Sequence, residues 1–263
     1  MPNPGEPTPT DASAAAAASQ HVVLQPLDVG DPWRWLARGA RDFARAPFIG
    51  VFYGATFMVM GWALLAVYEH APAYVLALAA GFLLMGPFLC LGLYRVSQKL
   101  EAGETPEFGD SLLAFEARLG PLAIFGFVLL VLEMLWGRAA LVVFAVSFDG
   151  MPDFKGSLLA LLDPENLGFI VAYLAVGGVF AGLIFAVSAI SIPMLLDRPV
   201  DAVTAGLTSL RLVLAQPAVM LQWGALITVL VVVAMLPWFA GLVLIAPVLG
   251  HATWHAYRAA VAR

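Results

Sequence analysis

Two histidines near the C-terminus come closest, by residue type and spacing, to a chemical site. His251 and His255 stand four apart in "GHATWHAYR", so both imidazoles would lie on one face of a helix. With a third ligand from another segment they would form a metal or haem site, although two histidines alone are a weak motif. The open alternative is a helix end at the membrane surface, with Trp254 and Tyr257 in an aromatic belt and Arg258 as an anchor. We therefore expect no metal ion and no cofactor.

Glu133 is the second candidate, because it interrupts the apolar run "GPLAIFGFVLLVLEMLWGRAALVVFAVSF". It lies twelve residues past Pro121, about 18 Å along a helix and therefore near the centre of a bilayer. An acid at that depth is expected to face the bundle interior, find a partner or be protonated. It is either a proton-carrying or substrate-binding acid or a structural hydrogen-bonding group. Arg138 lies about 140° further around the helix and would extend toward the membrane surface.

The composition identifies lipid as the main solvent of the chain. Of the 263 residues, 62% are hydrophobic and 12% are charged, whereas a soluble domain carries about 25% charged residues. Backbone groups in lipid must be satisfied internally, which leaves helices or closed barrels. The uncharged runs here are long and show no alternation of polarity. The predicted fold class is therefore an all-α polytopic membrane protein.

Six transmembrane helices are predicted as three hairpins, and each hairpin follows a short amphipathic helix on the cytoplasmic side. The predicted transmembrane helices are residues 47–68, 72–94, 120–147, 167–196, 217–236 and 238–257, and the amphipathic segments are 32–47, 106–121 and 199–217. The last uncharged run is long enough for two helices and is divided at Pro237. Residues 1–30 are predicted to be a disordered tail, and residues 31–263 a single transmembrane domain.

The basic residues predict the orientation of the helices. With the N-terminus inside, eleven Lys and Arg residues fall on the inner side and only Lys155 on the outer side. This positive-inside bias predicts that both termini lie in the cytoplasm. Four arginines recur at spacings of 4, 3 and 4 on the first amphipathic segment; they are Arg34, Arg38, Arg41 and Arg45. We expect them to contact anionic lipid headgroups, with a helix packed on the bundle as the alternative.

Small residues suggest where helices approach one another. Two glycine pairs have the small-xxx-small spacing; they are Gly50 with Gly54 and Gly178 with Gly182. We expect both pairs to pack within the bundle, with contact between copies of the chain as the alternative. Ser188 and Ser191, which precede Pro193, are expected to bond backbone carbonyls that the proline leaves free.

Four segments together resemble a known family. They are "DPWRWLARGARDFARAP", "GFLLMGPFLCLGLYRVSQKLEAGETPEFGDSL", "ISIPMLLDRPVDAVTA" and "PVLGHATWHAYR". Over roughly residues 30–260 the chain is similar to an uncharacterised bacterial inner-membrane family, domain of unknown function 2189. The resemblance implies a polytopic inner-membrane protein and brings no activity.

The absence of known catalytic motifs guides the functional prediction. The sequence has no P-loop, no dinucleotide-binding glycine motif, no H-E-x-x-H and no C-x-x-C. We therefore expect a non-enzymatic scaffold or a protein that binds partners or lipid. The expected partners are the bilayer and its anionic headgroups and not nucleic acid, and a second copy or another membrane protein stays open. The alternatives are a transporter that uses Glu133 and a metal or haem protein that uses His251 and His255.

Overall fold

The computed structural model describes residues 22–70, 75–147 and 167–262. These residues form helices, and the only pairing of β type among them is an isolated bridge between Leu24 and Val261. The all-α prediction is therefore confirmed. The helices are α1 (Asp31–Arg45), α2 (Pro47–His70), α3 (Val75–Glu101), α4 (Phe108–Leu112), α5 (Leu119–Ser147), α6 (Leu167–Ser188), α7 (Ser191–Asp197), α8 (Ala202–Ala215), α9 (Pro217–Met235) and α10 (Leu242–Ala260).

Four helical stretches in the described ranges are long and apolar enough to cross a membrane. They are Pro47–His70, Phe108–Ser147, Leu167–Asp197 and Pro217–Met235, and they contain the first, third, fourth and fifth predicted spans. Residues 75–94 of the second predicted span lie in α3, and residues 242–257 of the sixth lie in α10, but these two helices are not among the four. Six membrane spans therefore stay a prediction.

Helix α10 is a packing centre of the described structure. Helices α1, α2, α3 and α9 all contact it, and most of the residues in its last two turns are buried. Two glycines permit the close approach. A Cβ atom at Gly39 of α1 would collide with the backbone of Val248 and Ala252, and one at Gly54 of α2 would collide with the backbone of Val243. The core of the fold is thus built on backbone contact between α10 and two neighbouring helices.

The two predicted glycine pairs have different surroundings. Gly50 is covered by the ring of Phe43, and Gly54 lies against α10, which is the packing expected within a bundle. In contrast, a Cβ atom at Gly178 or Gly182 would meet no atom within 4 Å in the described structure. The expected packing within the bundle does not apply to this second pair, because no neighbouring helix comes close. Contact between copies of the chain is the alternative that stays open for it.

A six-residue turn separates α9 from α10 and confirms the break predicted at Pro237. Trp238 and Phe239 have φ angles of 53° and 63°, a left-handed conformation that is rare for bulky residues. Two contacts with α2 accompany this conformation. The indole nitrogen of Trp62 donates a hydrogen bond to the carbonyl of Trp238 over 2.8 Å, and the Phe239 ring lies against Gly61.

The three predicted amphipathic segments have different outcomes. The first is the single helix α1, whose buried face packs on α10, so that the alternative of a helix packed on the bundle describes it. The second, residues 106–121, is not one helix, because it contains the five-residue helix α4, a 3-10 turn at Glu116–Arg118 and the start of α5. The third contains α8, which buries small and polar residues and leaves the apolar side chains of Val203, Leu207 and Leu214 exposed.

Part of the predicted disordered tail, residues 22–30, belongs to the described structure. Residues 1–21 lie outside the described residues, but residues 22–30 run along the end of α10. The amide of Gln25 donates to the carbonyl of Ala260 over 2.8 Å, and the amide of Ala262 donates to the carbonyl of Val23 over 3.0 Å. Val22 is buried beside them. Backbone pairing with the C-terminus therefore holds residues 23–25 of the predicted tail against the end of α10.

The serines before Pro193 lie at the break between α6 and α7. The hydroxyl of Ser188 donates to the carbonyl of Ile184 over 2.6 Å, and that of Ser191 donates to the carbonyls of Val187 and Ala205. The hydroxyls thus bond backbone carbonyls, but these are not the carbonyl of Ala189, the one that Pro193 leaves without its helical donor.

We expect Gly54→Ala to lower the free energy of unfolding by about 1–3 kcal/mol, because the new methyl group must displace the backbone of α10. Gly178→Ala is the matched control, since its methyl group enters open space and alanine is the better helix former by up to about 1 kcal/mol. The measurement is the fraction of protein that stays monodisperse on size exclusion after heating in detergent. Equal stability of the two variants would contradict the packing described for Gly54.

Candidate functional site

The two predicted histidines are joined through side chains from two other helices. His251 Nδ1 lies 2.8 Å from the hydroxyl of Ser97 on α3, and His255 Nε2 lies 2.8 Å from Asp42 Oδ2 on α1. Ser97 in turn donates to Asp42 Oδ2 over 2.8 Å. Because the single hydroxyl hydrogen goes to the carboxylate, His251 must donate through Nδ1–H to the serine oxygen. We call these four residues the histidine network.

Asp42 and Ser97 are the residues of the histidine network that sequence reasoning missed, and Asp42 is the charged one. Burial raises the pKa of its carboxyl group. The hydrogen bonds from His255 and Ser97 and the charges of the two imidazoles lower the pKa by more, so that it lies below the usual value. A sequence pattern could have revealed Asp42. Trp35, Gly39 and Asp42 follow one another at spacings of four and three, which places them on one face of α1, and this face is buried. A carboxylate on the buried face of an amphipathic helix requires a partner.

The histidine network has few ligand groups for a metal ion and two fully buried side chains. No group of three or more His, Cys, Asp or Glu side chains that could hold a metal ion occurs in the described part of the chain. Ser97 and His251 are 0% exposed, so a substrate cannot reach the hydroxyl group as a nucleophile. The geometry instead shows a buried link among α1, α3 and α10.

Trp254 and Tyr257 are not part of a lipid-facing aromatic belt. Their side chains are 1% and 0% exposed, and both form hydrogen bonds with acids of neighbouring helices. The Trp254 indole donates to Glu101 over 3.1 Å, and the Tyr257 hydroxyl donates to Asp197 over 2.6 Å. The interpretation of this helix end as a membrane-surface belt is therefore wrong for the two aromatic residues, because neighbouring helices cover them. Arg258 joins the same acids, at 3.1 Å from Glu101 and 3.3 Å from Asp197.

A cavity of about 360 Å³ opens beside the histidine network. We call it the arginine cavity, because arginines of α1 and α10 dominate its wall. Its lining residues are Arg38, Arg41, Asp42, Arg45, Leu100, Glu101, His255, Arg258 and Ala259. Three of the four arginines predicted to meet anionic lipid thus lie in one cavity wall.

The ion pairs show which of these arginines are available to a ligand. Arg34, which lies outside the cavity, pairs with Asp31 at 2.8 Å and with Asp28 at 3.7 Å. Arg258 is paired with the acids of α3 and α7, as described above. No carboxylate in the described ranges pairs with the remaining three guanidinium groups, which belong to Arg38, Arg41 and Arg45. The arginine cavity therefore has an excess of positive charge, and its chemistry suits an anion.

Glu133 and Arg138 lie on different faces of α5, as expected. The Glu133 side chain is only 7% exposed, and its Oε1 atom has no hydrogen-bond partner in the described structure. It lines a second cavity, of about 370 Å³ and mostly apolar, between α3, α5 and α6. Arg138 is exposed. Glu133 and His255 therefore line two separate cavities in the described structure.

The comparison with known families confirms the resemblance over the middle of the chain. Residues 75–197 match the family model described as "Predicted integral membrane protein (DUF2189)". This match and the four long apolar helices together identify the chain as an integral membrane protein. No curated protein and no solved structure matches the chain. The matched range ends before α8 and begins after α1, so the arginines of the cavity lie outside it.

Asp42→Asn should lower the free energy of unfolding at pH 7 by about 2–4 kcal/mol, because it removes the buried charge that Ser97 and His255 contact. The pKa of Asp42 is lower in the folded state, so its stabilisation is present above about pH 4 and is lost as the pH falls through the folded-state value. The difference in free energy of unfolding between variant and wild type should therefore become smaller below pH 4.

Thermal unfolding of both proteins between pH 3 and pH 7 measures this difference. Asp28→Asn is the control, because that carboxylate is largely exposed and contacts only Arg34 at 3.7 Å. A variant at position 42 that is as stable as wild type at pH 7 would contradict the assigned role of the carboxylate.

Proposed function

We propose that this integral membrane protein is a non-enzymatic lipid-binding protein that holds the phosphate of an anionic lipid headgroup in the arginine cavity. The observation that carries the proposal is the set of three guanidinium groups on one cavity wall that have no carboxylate partner among the described residues. A guanidinium group offers a planar fork of donors that matches two phosphate oxygens. The cavity volume of about 360 Å³ is within the range of small-molecule sites, roughly 300–1,000 Å³.

The position of the cavity favours a lipid over a free anion. Only Ala46 separates α1 from α2, and α2 is one of the four helices that can cross a membrane. Arg45 therefore lies at the point where the chain enters the apolar layer. Phe48, one turn later, is 73% exposed, as expected for a side chain that faces acyl chains. Arginines at this depth lie at the level of the headgroups.

The packing of α1 supports selective binding. A basic tail would attract any anionic surface, but α1 is fixed on α10 by the contact of Gly39 and by the hydrogen bonds of Asp42. Its arginines are therefore arranged before a ligand arrives, which reduces the entropy lost on binding. Glu101, which bonds Arg258 on the opposite wall, would exclude a second phosphate from that side.

The test is a triple substitution, Arg38→Gln with Arg41→Gln and Arg45→Gln. We expect purified wild-type protein in detergent to bind phosphatidylglycerol with a fluorescent acyl chain about 10–100-fold more tightly than the matching phosphatidylcholine, since each arginine contributes about 1 kcal/mol. The triple variant should lose this preference and bind both lipids equally. Fluorescence titration measures both affinities.

The matched control removes three arginines outside the cavity, as Arg34→Gln with Arg118→Gln and Arg211→Gln. It changes the net charge by the same amount and should keep the preference for phosphatidylglycerol. If both triple variants lose the preference equally, overall charge and not the arginine cavity attracts the lipid. A wild-type protein without any preference would overturn the proposal. Wild-type binding of inorganic phosphate with the affinity of the lipid would show that the site takes a free anion.

A further inference from the structure

We propose that the cavity around Glu133 is a second binding site, which takes an apolar molecule that carries a single protonated amine. This site is independent of the arginine cavity and has the opposite charge preference. We call it the glutamate cavity. It has a volume of about 370 Å³ and is lined by α3, α5 and α6, and Leu84, Leu129, Trp136, Phe180 and Phe185 line it together with Glu133.

The depth of Glu133 makes its surroundings unusual. It lies fourteen residues into the 29-residue helix α5, which is about 21 Å from the first residue and close to the middle of the helix. A carboxyl group at this depth costs several kcal/mol unless it has a partner. Its 7% exposure places it inside the bundle and not toward lipid.

The described protein supplies no partner for this carboxyl group. Glu133 Oε1 is buried without a hydrogen bond, and neither lysine nor arginine lines the glutamate cavity. The one hydroxyl group in the wall belongs to Ser188 and already donates to the carbonyl of Ile184. An unpartnered buried acceptor beside a cavity indicates that a donor from a ligand can complete the site.

The wall of the cavity selects the chemical class of that ligand. Trp136, Phe180 and Phe185 offer aromatic rings, and aromatic rings attract cations through their faces. A carboxylate with aromatic neighbours suits a protonated amine, since both groups favour the same charge. The remaining lining is apolar, which requires an apolar body on the ligand. An anionic ligand would be repelled by Glu133, and a neutral alcohol would gain no attraction between charges.

The test uses three probes of equal length: 4-phenylbutylamine, 4-phenylbutanol and 4-phenylbutyrate. Calorimetric titration into purified protein in detergent, with protein-free detergent subtracted, measures each affinity. We expect the amine to bind about tenfold or more tightly than the alcohol, and the acid not to bind. In Glu133→Gln, which keeps the shape of the side chain, the amine should fall to the affinity of the alcohol.

Two further variants keep the result interpretable. Glu116→Gln removes an exposed carboxylate outside the cavity and should bind the three probes as wild type does. Gly177→Leu fills the cavity without changing the carboxyl group, since a Cβ atom there points toward Trp136 at 3.7 Å, and it should weaken the amine and the alcohol together. Size exclusion establishes that each variant is folded.

Equal affinity of wild type for the amine and the alcohol would overturn the proposal, because it would show selection by apolarity alone. The same conclusion follows if Glu133→Gln binds the amine as wild type does, or if no probe binds to folded wild-type protein. If Gly177→Leu loses amine binding but Glu133→Gln keeps it, the ligand lies in the cavity without contacting Glu133. This result would also overturn the proposal.

Discussion

The burial of one carboxylate between three helices is the constraint on which the packing of α1, α3 and α10 depends. Asp42 lies on the face of α1 that packs against α10, and it can be buried there only because Ser97 and His255 bond the same oxygen. Each of these side chains comes from a different helix. The rotation of α1, α3 and α10 about their own axes is thereby linked, since turning one helix would leave a buried charge without a partner. Backbone contact at Gly39 sets how closely the helices approach.

The arginine cavity follows from the same constraint. Successive residues of a helix are about 100° apart, so turning Asp42 toward α10 places Arg41 and Arg45 at the edge of the contact and not within it. These side chains border the space beside His255, where the ends of α3 and α10 complete the wall. Arg258 lies in that wall but is held by Glu101 and the ring of Trp254. The arrangement separates arginines that stabilise the fold from arginines that can meet a ligand.

The sequence predicted the features that local chemistry decides. The helical class followed from long uncharged runs, and the break at Pro237 followed from the length of a membrane span. It did not predict that Asp42 would bind His255, because the two residues are 213 positions apart and no local pattern joins them. It also placed Trp254 at a lipid surface. In a membrane protein both the lipid-facing and the protein-facing sides of a helix are apolar, so periodicity cannot show which side is buried. For the same reason, the sequence could not show that Gly178 lies on an open face of its helix.

The two buried carboxylates among the described residues show how the protein separates structure from binding. Asp42 and Glu133 have nearly the same exposure, 6% and 7%, but one oxygen of Asp42 accepts two hydrogen bonds while an oxygen of Glu133 accepts none. Burial alone therefore does not distinguish a structural acid from one that can bind a ligand. The distinction lies in the neighbours: Asp42 faces side chains of its own bundle, whereas Glu133 faces a cavity with aromatic walls. In a chain with 12% charged residues, an acid at this depth is costly without a partner, and the described residues supply none for Glu133 Oε1.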